Sequence, residues 1–568
     1  MTGQRFPLAR LSALAGLAAL CAGLAAAPAA LKTPAEDGRY TQYTQNEAIG
    51  RFLSEADALA RELSVQVVGR TTDVEGFAGR EIFLAVLSAE GAARPQDLNR
   101  KKPTLLLTAS QHGNEHSAKE AALWLVRDLA LGEMKHLLDR LNVLVIPQAN
   151  PYGNWFDVRR NETGLDMNRD HVKLEAAGVE AIHRVFRAWT PEVTIDVHEK
   201  GDGYYKVNIG CVSNANISRV LQDYSRRTIL AEVEAALRKK NVTFHEYLVT
   251  EEMGSTGAAG VEASGGAAPR EEFTRYSTTD LNDGRNSLGI YETLSFIQEG
   301  ASRHDLGTLE ARTRWQYAGL RAFMETVSGH GVEVLRIVRD LRARLPERGR
   351  TPAPGDPVHL RMDFARDPKD PALTLQKYVE AGPPIEGVLK VDKKAGETLT
   401  SADLASYPLP AGVKVATEVV KNWFPLVEPK VSVPRPLGYI LPAGHADVVE
   451  TLLRHGIAVG VFIQDKAVEV EAYDVRDIVP ATDDYLAPGK IVVERKPLST
   501  VVRRGDFYVA CGQDAANLIP CLLEPESEFG LIRYFKYGLV PKAGDMFAFY
   551  RVVKTQTLVL APYKPWPR

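Results

Sequence analysis

The sequence predicts an α/β protein with a mixed, mostly parallel sheet flanked by helices, followed by a C-terminal α+β region rich in strands. In the first half, short continuous apolar runs alternate with segments in which apolar residues recur at helical spacing. A proline-rich stretch then leads into a half richer in β-branched residues. The 568 residues, 45% hydrophobic and 25% charged, suffice for several globular units or for one large domain with appendages.

The first half carries the strand and helix alternation. The predicted strands are 104–108, 141–147 and 193–197, and the predicted helices are 117–131, 177–189, 218–240 and 309–345. Such alternation favours a parallel sheet whose ligands bind at the carboxyl ends of its strands. Residues 253–269, rich in Gly, Ala and Ser, predict a mobile surface loop inside this domain.

The chain divides into four expected parts. These are a leader (1–29), an α/β domain (30–345), a linker (346–357) and an accessory region (358–568). In the accessory region the predicted strands are 413–419, 468–473, 490–493 and 507–510, and the predicted helices are 445–455 and 515–523. No internal repeat is recognisable in the sequence.

The leader has the features of a secretory signal peptide. A basic start precedes an apolar run from Leu11 to Ala27, and Ala27-Pro28-Ala29 supplies small residues for cleavage. A permanent anchor helix is disfavoured because the run is short and rich in alanine. We therefore expect an exported protein, periplasmic or secreted, with no stable membrane insertion after cleavage of the signal.

Charge and cysteine content narrow the classes of partner and site. The 69 Lys and Arg against 72 Asp and Glu give a net charge of −3, which offers no electrostatic reason for a nucleic acid partner. A small or peptidic substrate is more natural. Outside the leader, three cysteines allow one disulfide, most simply between Cys511 and Cys521, and are too few for a cysteine-only metal site.

Two histidines and a glutamate at predicted strand ends form a candidate metal site. His112 and Glu115 follow the strand at 104–108, and His198 follows the strand at 193–197. Adjacent strand ends would bring together two imidazoles and one carboxylate, the ligand set of an open catalytic zinc site. Either histidine alone would more often be an ordinary polar residue, so the combination carries the prediction.

Two further motifs lie between these ligands. They are Asn150-Pro151-Tyr152-Gly153 and the run from Arg159 to Asp170, which contains Arg-x-Asn-x-x-Gly-x-Asp-x-Asn-Arg. With His-x-x-Glu and the strand that leads to His198, the sequence resembles the zinc metallocarboxypeptidase family of the carboxypeptidase A type over about residues 40–330. In particular it looks like a bacterial secreted member with a long C-terminal extension.

The resemblance implies one zinc ion per chain on the three ligands named above. It also implies that Asp166 accepts the free ring N–H of His112 and fixes its tautomer. Asn168 and Arg169 would bind the terminal carboxylate of the substrate, because a guanidinium can donate two parallel hydrogen bonds to it.

The resemblance further implies an oxyanion-binding arginine and a general base. Arg159 matches the first role, with the adjacent Arg160 as the alternative. Glu299, at the end of the apolar segment 293–300, matches the family's catalytic base. Glu292 competes for this role but precedes the apolar run instead of following it.

Substrate contacts are expected from a loop ahead of Glu299. Tyr276, or more weakly Tyr291, would cover the substrate as the family's mobile tyrosine does. Arg285 lies near the position that selects the substrate side chain and would favour an acidic one. Asp170 departs from the asparagine frequent in the family and would add a negative charge beside the carboxylate-binding arginine.

The implied function is that of a zinc carboxypeptidase. It would use metal-activated water to cleave C-terminal residues from peptides, or peptide-like substrates, that have a free C-terminal carboxylate. The alternatives are an N-acyl amino acid hydrolase of the same clan and a non-catalytic peptide-binding protein. Residues 358–568 have no counterpart in the short digestive members and would form a scaffold or a wall that restricts the substrate.

Overall fold

A computed structural model describes residues 31–200, 206–252, 272–301, 306–380 and 413–564 of the chain. The predicted signal peptide (1–29) and the predicted surface loop (253–269) lie outside the described residues.

An eight-stranded mixed sheet forms the centre of the first half, in the order β1-β2-β4-β3-β5-β10-β6-β7. Its strands are β1 (Leu63–Arg70), β2 (Glu81–Leu87), β3 (Thr104–Ala109), β4 (Asn142–Ile146), β5 (Val193–Lys200), β6 (Val207–Cys211), β7 (Phe244–Glu246) and β10 (Leu294–Ala301). The central strands β4, β3, β5 and β10 are parallel, and antiparallel pairs flank them. Every residue of β3 and β4 is buried, which explains their continuous apolar runs and confirms the predicted fold class.

Helices cover the sheet. They are α1 (Pro34–Asp37), α2 (Asn46–Leu59), α3 (His116–Ala130), α4 (Pro151–Phe156), α5 (Ala177–Trp189), α6 (Arg219–Tyr224), α7 (Ala231–Lys239), α8 (Gly284–Gly289), α9 (Leu309–Gly329) and α10 (Gly331–Arg350). Helix α3 is buried along its whole length because it packs between the sheet and α9, where Trp124 meets Tyr317 edge-on at 5.5 Å. None of the helices within the described ranges is long and apolar enough to cross a membrane.

The strand register determines which side chains meet at the carboxyl edge of the sheet. Thr108 on β3 pairs with Asp196 on β5, and Glu299 on β10 pairs with His198 on β5. The loop that follows β3 therefore emerges beside the end of β5, as expected for neighbouring parallel strands.

The described residues of the C-terminal region contain two further α-helices and the strands that follow β10. The helices are α11 (Ala446–Arg454) and α12 (Leu518–Leu523). The strands are β11 (Pro357–Ala365), β12 (Leu373–Glu380), β13 (Val413–Val420), β14 (Trp423–Phe424), β15 (Leu426–Pro434), β16 (Gly438–Leu441), β17 (Gly460–Phe462), β18 (Lys466–Val479), β19 (Lys490–Val502), β20 (Phe507–Ala510), β21 (Tyr550–Val552) and β22 (Leu560–Pro562). A seven-stranded sheet, β19-β18-β21-β16-β20-β17-β22, confirms the β-rich character.

Two features join this region directly to the first half. Strand β14 pairs with β9 (Glu272–Tyr276), which in turn pairs with β8 (Leu248–Glu252). Helix α10 continues through Pro346 to Arg350, so the expected linker starts inside the helix, where the proline leaves one helical hydrogen bond unmade. Gly349 allows the end of α10 to touch Cys511, since a Cβ there would lie 2.0 Å from the Cys511 carbonyl oxygen.

The three cysteines of the described residues are free and buried, so the expected disulfide between Cys511 and Cys521 is not formed. The Cys521 thiol instead lies 3.4 Å from the side-chain amide nitrogen of Asn216. Burial raises the pKa of both thiols to about 12, which keeps them protonated and unreactive.

Candidate active site

The three predicted metal ligands meet at the carboxyl edge of the sheet. His112, Glu115 and His198 are buried, and one ligand atom of each lies within 4.8 Å of the others. Glu115 Oε1 is 2.7 Å from His112 Nδ1, and its Oε2 is 2.9 Å from His198 Nδ1. Burial opposes ionisation of Glu115, but the two imidazoles still hold its pKa well below the ordinary value. Two imidazole nitrogens and a carboxylate facing one point suit a zinc ion with an open coordination position.

A carboxylate holds the far nitrogen of each histidine. Asp166 Oδ1 lies 3.1 Å from His112 Nε2, and Asp196 Oδ2 lies 2.7 Å from His198 Nε2. Such partners favour the tautomer with a proton on Nε2, which leaves Nδ1 free to bind a metal. Asp196 was not predicted from the sequence. Its signal is the spacing Asp-x-His on a strand, which puts both side chains on one face.

A buried polar chain continues beyond Asp196. The Gln111 amide nitrogen donates to Asp196 at 2.6 Å, and the Gln111 amide oxygen lies 2.9 Å from His171 Nε2. Burial lowers the pKa of His171 to about 4, so its ring is neutral and donates through one nitrogen. The other nitrogen, Nδ1, lies 3.0 Å from His183 Nε2 and can only accept from it. These residues were also missed by sequence reasoning.

The Asn-Pro-x-Gly motif supports the loop that carries His112. Asn150 accepts from the Gly153 backbone at 2.8 Å and donates to the Gln111 carbonyl at 3.0 Å. Gly113 packs against this turn so closely that a Cβ on it would lie 2.0 Å from the Gly153 carbonyl carbon. Residue 113 therefore has to be glycine for the metal-binding loop to lie here.

Glu299 lies beside the cluster, and its competitor does not. Glu299 is 7% exposed, and its Oε2 has no hydrogen-bond partner among the described residues. Burial raises the pKa of Glu299 to about 7, against the opposing charge of His198. Glu292 lies elsewhere and accepts from the Ser218 backbone at 3.0 Å and from Asn517 at 3.1 Å.

The structure separates the two candidate arginines. Arg159 Nε donates to Asp166 at 2.9 Å, and its Nη1 lies 3.1 Å from His112 Nδ1. Arg160 instead donates to the Gly164 carbonyl at 2.8 Å on the exposed side of the loop. Only Arg159 therefore reaches the metal cluster.

A cavity of about 410 Å³ opens onto the cluster. Besides His112, Glu115 and Glu299, its lining residues are Asn114, Arg159, Asn168, Arg169, Glu199, Lys200, Tyr247, Thr278, Asp283, Arg285 and Ile297. Asn168 Oδ1 accepts from the Gly284 backbone at 2.9 Å, which ties the carboxylate-binding motif to the segment that carries Arg285. Arg285 is 1% exposed and pairs with Asp283 at 2.9 Å, while its Nε and Nη1 lack partners among the described residues.

The expected covering tyrosine, Tyr276, is not in this cavity. Its hydroxyl lies 2.7 Å from the Cys211 thiol, and the guanidinium of Arg226 lies 4.2 Å from its ring centre. The register of β9 turns Tyr276 toward a separate cavity bounded by the C-terminal region, which corrects its assignment. Tyr291 is also remote, since it packs against Phe186 at 5.5 Å.

Tyr247 occupies the cavity instead. Lys200 Nζ lies 4.9 Å from its ring centre, and the guanidinium of Arg285 lies 5.0 Å from it. No motif marks Tyr247 in the sequence, because it lies in the short connection between β7 and β8.

Asp170 does not add a free charge at the carboxylate-binding arginine. It is 1% exposed, and its Oδ2 accepts from the backbones of Glu175 and Ala176, both at 2.7 Å, at the start of α5. Burial raises the pKa of Asp170 to about 6. The departure from the family pattern therefore serves the helix start, not the substrate site.

Known proteins resemble the chain in sequence. A family model for zinc carboxypeptidases, peptidase M14, matches residues 57–188. Carboxypeptidase 2 of Trichophyton rubrum is 24% identical over 498 residues, which is 84% of this chain and 81% of the relative. Carboxypeptidase 2 of Trichophyton tonsurans is 23% identical over 533 residues, 90% of this chain and 86% of the relative. A metallo-carboxypeptidase structure from Burkholderia cenocepacia aligns with a TM-score of 0.38 at 21% identity, covering 51% of this chain and 71% of that chain.

The family match and the named relatives identify the enzyme class as a metallocarboxypeptidase-type hydrolase. The matched segment includes His112, Glu115 and the Asn168-Arg169 pair and ends before His198. The curated relatives reported above are fungal and do not support the expected bacterial source.

Proposed function

We propose that the protein is an exported zinc carboxypeptidase, periplasmic or secreted, that releases the C-terminal residue of peptides or peptide-like substrates. The observation that supports this most is one cavity that is lined by His112 and Glu115 of the metal cluster, by Glu299 and by the Asn168-Arg169 pair. These are the groups that hydrolysis of a C-terminal peptide bond requires in one place.

His112, Glu115 and His198 would hold one zinc ion per chain, and their geometry fits it. When bound, zinc polarises the scissile carbonyl and lowers the pKa of a water molecule. Glu299, with an unpaired carboxylate oxygen and a pKa near neutrality, takes the proton of the attacking water and passes it to the leaving amine.

Arg159 would stabilise the developing oxyanion, because it is the arginine that reaches the cluster. Its bond to Asp166 fixes the side chain before substrate binds. Asn168 and Arg169 would bind the substrate's terminal carboxylate, which makes the enzyme an exopeptidase. Tyr247, not Tyr276, would lie over the bound residue.

Arg285 would recognise an acidic side chain at the substrate's C-terminal position. It lines the cavity, is buried, and keeps two donor nitrogens without protein partners in the described part of the chain. A buried guanidinium with spare donors favours a carboxylate ligand. We expect wild-type enzyme to prefer peptides that end in Asp or Glu over those that end in Leu, and Arg285→Ala to lose that preference. An unchanged preference would contradict the assignment.

The central test compares the wild type, Glu299→Gln and the matched control Glu292→Gln. We expect about one zinc per chain in all three, and release of C-terminal residues from a mixed peptide library by all except Glu299→Gln. Glu292 is also a buried glutamate but lies outside the cavity, so its variant controls for loss of a buried carboxylate. If the wild type hydrolyses N-acyl amino acids but cleaves no peptide, the protein is an N-acyl amino acid hydrolase and not a carboxypeptidase. If the wild type neither binds zinc nor turns over any substrate, the protein is a peptide-binding protein.

A further inference from the structure

One wall of the cavity is the segment from Asp280 to Arg285. Asp283 and Arg285 line the cavity, and the Gly284 backbone donates to Asn168 Oδ1 at 2.9 Å. The end of the segment forms the start of α8, which has only six residues, so local hydrogen bonds alone hold this segment weakly. The position of the wall has to be set by contacts from outside it.

Two residues of the C-terminal region, about 250 residues later in the chain, supply such contacts. Arg533 donates to both carboxylate oxygens of Asp280, at 2.8 and 3.2 Å. The Tyr534 hydroxyl accepts from the Asn282 amide nitrogen at 2.9 Å, and both side chains are fully buried. A two-bond guanidinium contact and a buried amide contact fix distance and orientation together.

Asn282 also connects the wall to the segment that follows Arg169. Its side-chain oxygen accepts from the Val172 backbone at 3.0 Å, and the Val172 carbonyl lies 2.9 Å from Nε2 of His455, the residue after α11. The next residue, Lys173, donates to the Tyr485 hydroxyl at 3.2 Å. The C-terminal region therefore holds both segments that carry the substrate-binding residues.

We propose that the C-terminal region positions the substrate-recognition wall of the active site, with Arg533 and Tyr534 as positioning residues. This rests on the proposed carboxypeptidase function. Loss of the Tyr534 hydroxyl leaves the buried Asn282 amide unpaired, and the wall relieves this by moving. Movement of the wall weakens substrate binding, because Asp283, Arg285 and the Asn168 anchor move with it. Neither the metal ligands nor Glu299 is contacted by these two residues, so chemistry on bound substrate is retained.

The experiment compares Tyr534→Phe with Tyr439→Phe in the full-length enzyme. Tyr439 is a matched control, since its buried hydroxyl donates to Glu524 at 2.7 Å inside the C-terminal region. For Tyr534→Phe we expect KM for a C-terminal peptide substrate to rise roughly threefold to tenfold, the effect of one buried hydrogen bond, with kcat and zinc affinity unchanged. Amide hydrogen exchange is expected to accelerate in residues 277–286 and 170–174. Tyr439→Phe leaves KM and exchange in these segments at wild-type values.

Arg533→Lys serves as the second variant because it keeps the charge and loses the two-bond geometry, and it is expected to raise KM in the same way. The proposal is overturned if Tyr534→Phe and Arg533→Lys keep wild-type KM and exchange, or if Tyr439→Phe changes both equally. Should the wild type cleave no peptide, the exchange measurement still decides whether these residues position the wall, while the carboxypeptidase proposal fails separately.

Discussion

The carboxylate of Asp196 is predicted to set the zinc affinity of the site. It accepts from His198 Nε2 at 2.7 Å, from Gln111 at 2.6 Å and from the Thr108 hydroxyl at 2.8 Å. In Asp196→Asn, only one of the two accepting oxygens remains, and the other is replaced by an NH2 group. This NH2 group then faces one of the hydrogen-bond donors named above. His198 then loses a charged partner that orients its ring and raises the basicity of its ligating nitrogen. We expect the zinc dissociation constant to rise roughly 10- to 100-fold, equivalent to about 1.4–2.7 kcal/mol.

The assay is competition for zinc with a chromogenic chelator at pH 7.5, with wild-type protein and Asp128→Asn in parallel. Asp128 is a buried carboxylate on α3 that accepts from Arg127 at 2.9 Å and from Tyr317. Its variant loses a comparable buried carboxylate remote from the metal and is expected to keep wild-type zinc affinity. A dissociation constant for Asp196→Asn within twofold of wild type would refute the reasoning, as would an equal change in Asp128→Asn.

Three further outcomes are expected. His171→Phe should weaken zinc binding several-fold, because the Gln111 amide loses its hydrogen bond to residue 171. His171→Gln can still donate a hydrogen bond to Gln111 and should retain most of the zinc affinity. Equal losses of affinity in chelator competition would contradict this. Burial raises the folded-state pKa of Glu528 to about 7. The protonated carboxyl group therefore contributes stability below about pH 4.5, and this stability is lost as the pH rises through 7. In thermal melts between pH 5 and pH 8, the free energy of unfolding of Glu528→Gln should exceed that of the wild type by on the order of 1–3 kcal/mol. Leu106 lies in the fully buried centre of β3, so Leu106→Ala should lower the free energy of unfolding by about 2–5 kcal/mol and lower the melting temperature with it. Leu131 is 39% exposed, so Leu131→Ala should leave the melting temperature nearly unchanged.

The sequence allowed prediction of the parallel core and the metal ligands because their signals are local. Strand β3 is a continuous apolar run because both of its faces are covered. His112 and Glu115 follow it within one loop, and the Asn-Arg pair lies in a specific motif. In such cases the chemistry and the backbone constraint lie within a few consecutive residues, and the structure brings His112, Glu115 and His198 together.

The misplaced residues depend on pairings between distant segments. Tyr276 faces away from the site because β9 is held between β8 and β14, and β14 lies about 150 residues later. Tyr247 enters the cavity through the same arrangement, which no spacing in the sequence encodes. The number of cysteines could not show that Cys511 and Cys521 remain free, and the proline content around Pro346 could not show that α10 continues past it.

The same reasoning explains why the C-terminal region showed no chemistry in the sequence. Arg533 and Tyr534 carry no motif, and their effect arises only where they meet Asp280 and Asn282. The family match ends at residue 188, before the wall segment and before its supports. The first metal ligands and the Asn-Arg pair thus lie in short sequence motifs, whereas the groups that shape the substrate cavity are fixed by contacts between distant segments. Substrate preference should therefore respond to changes in the C-terminal region that leave metal binding and the general base intact.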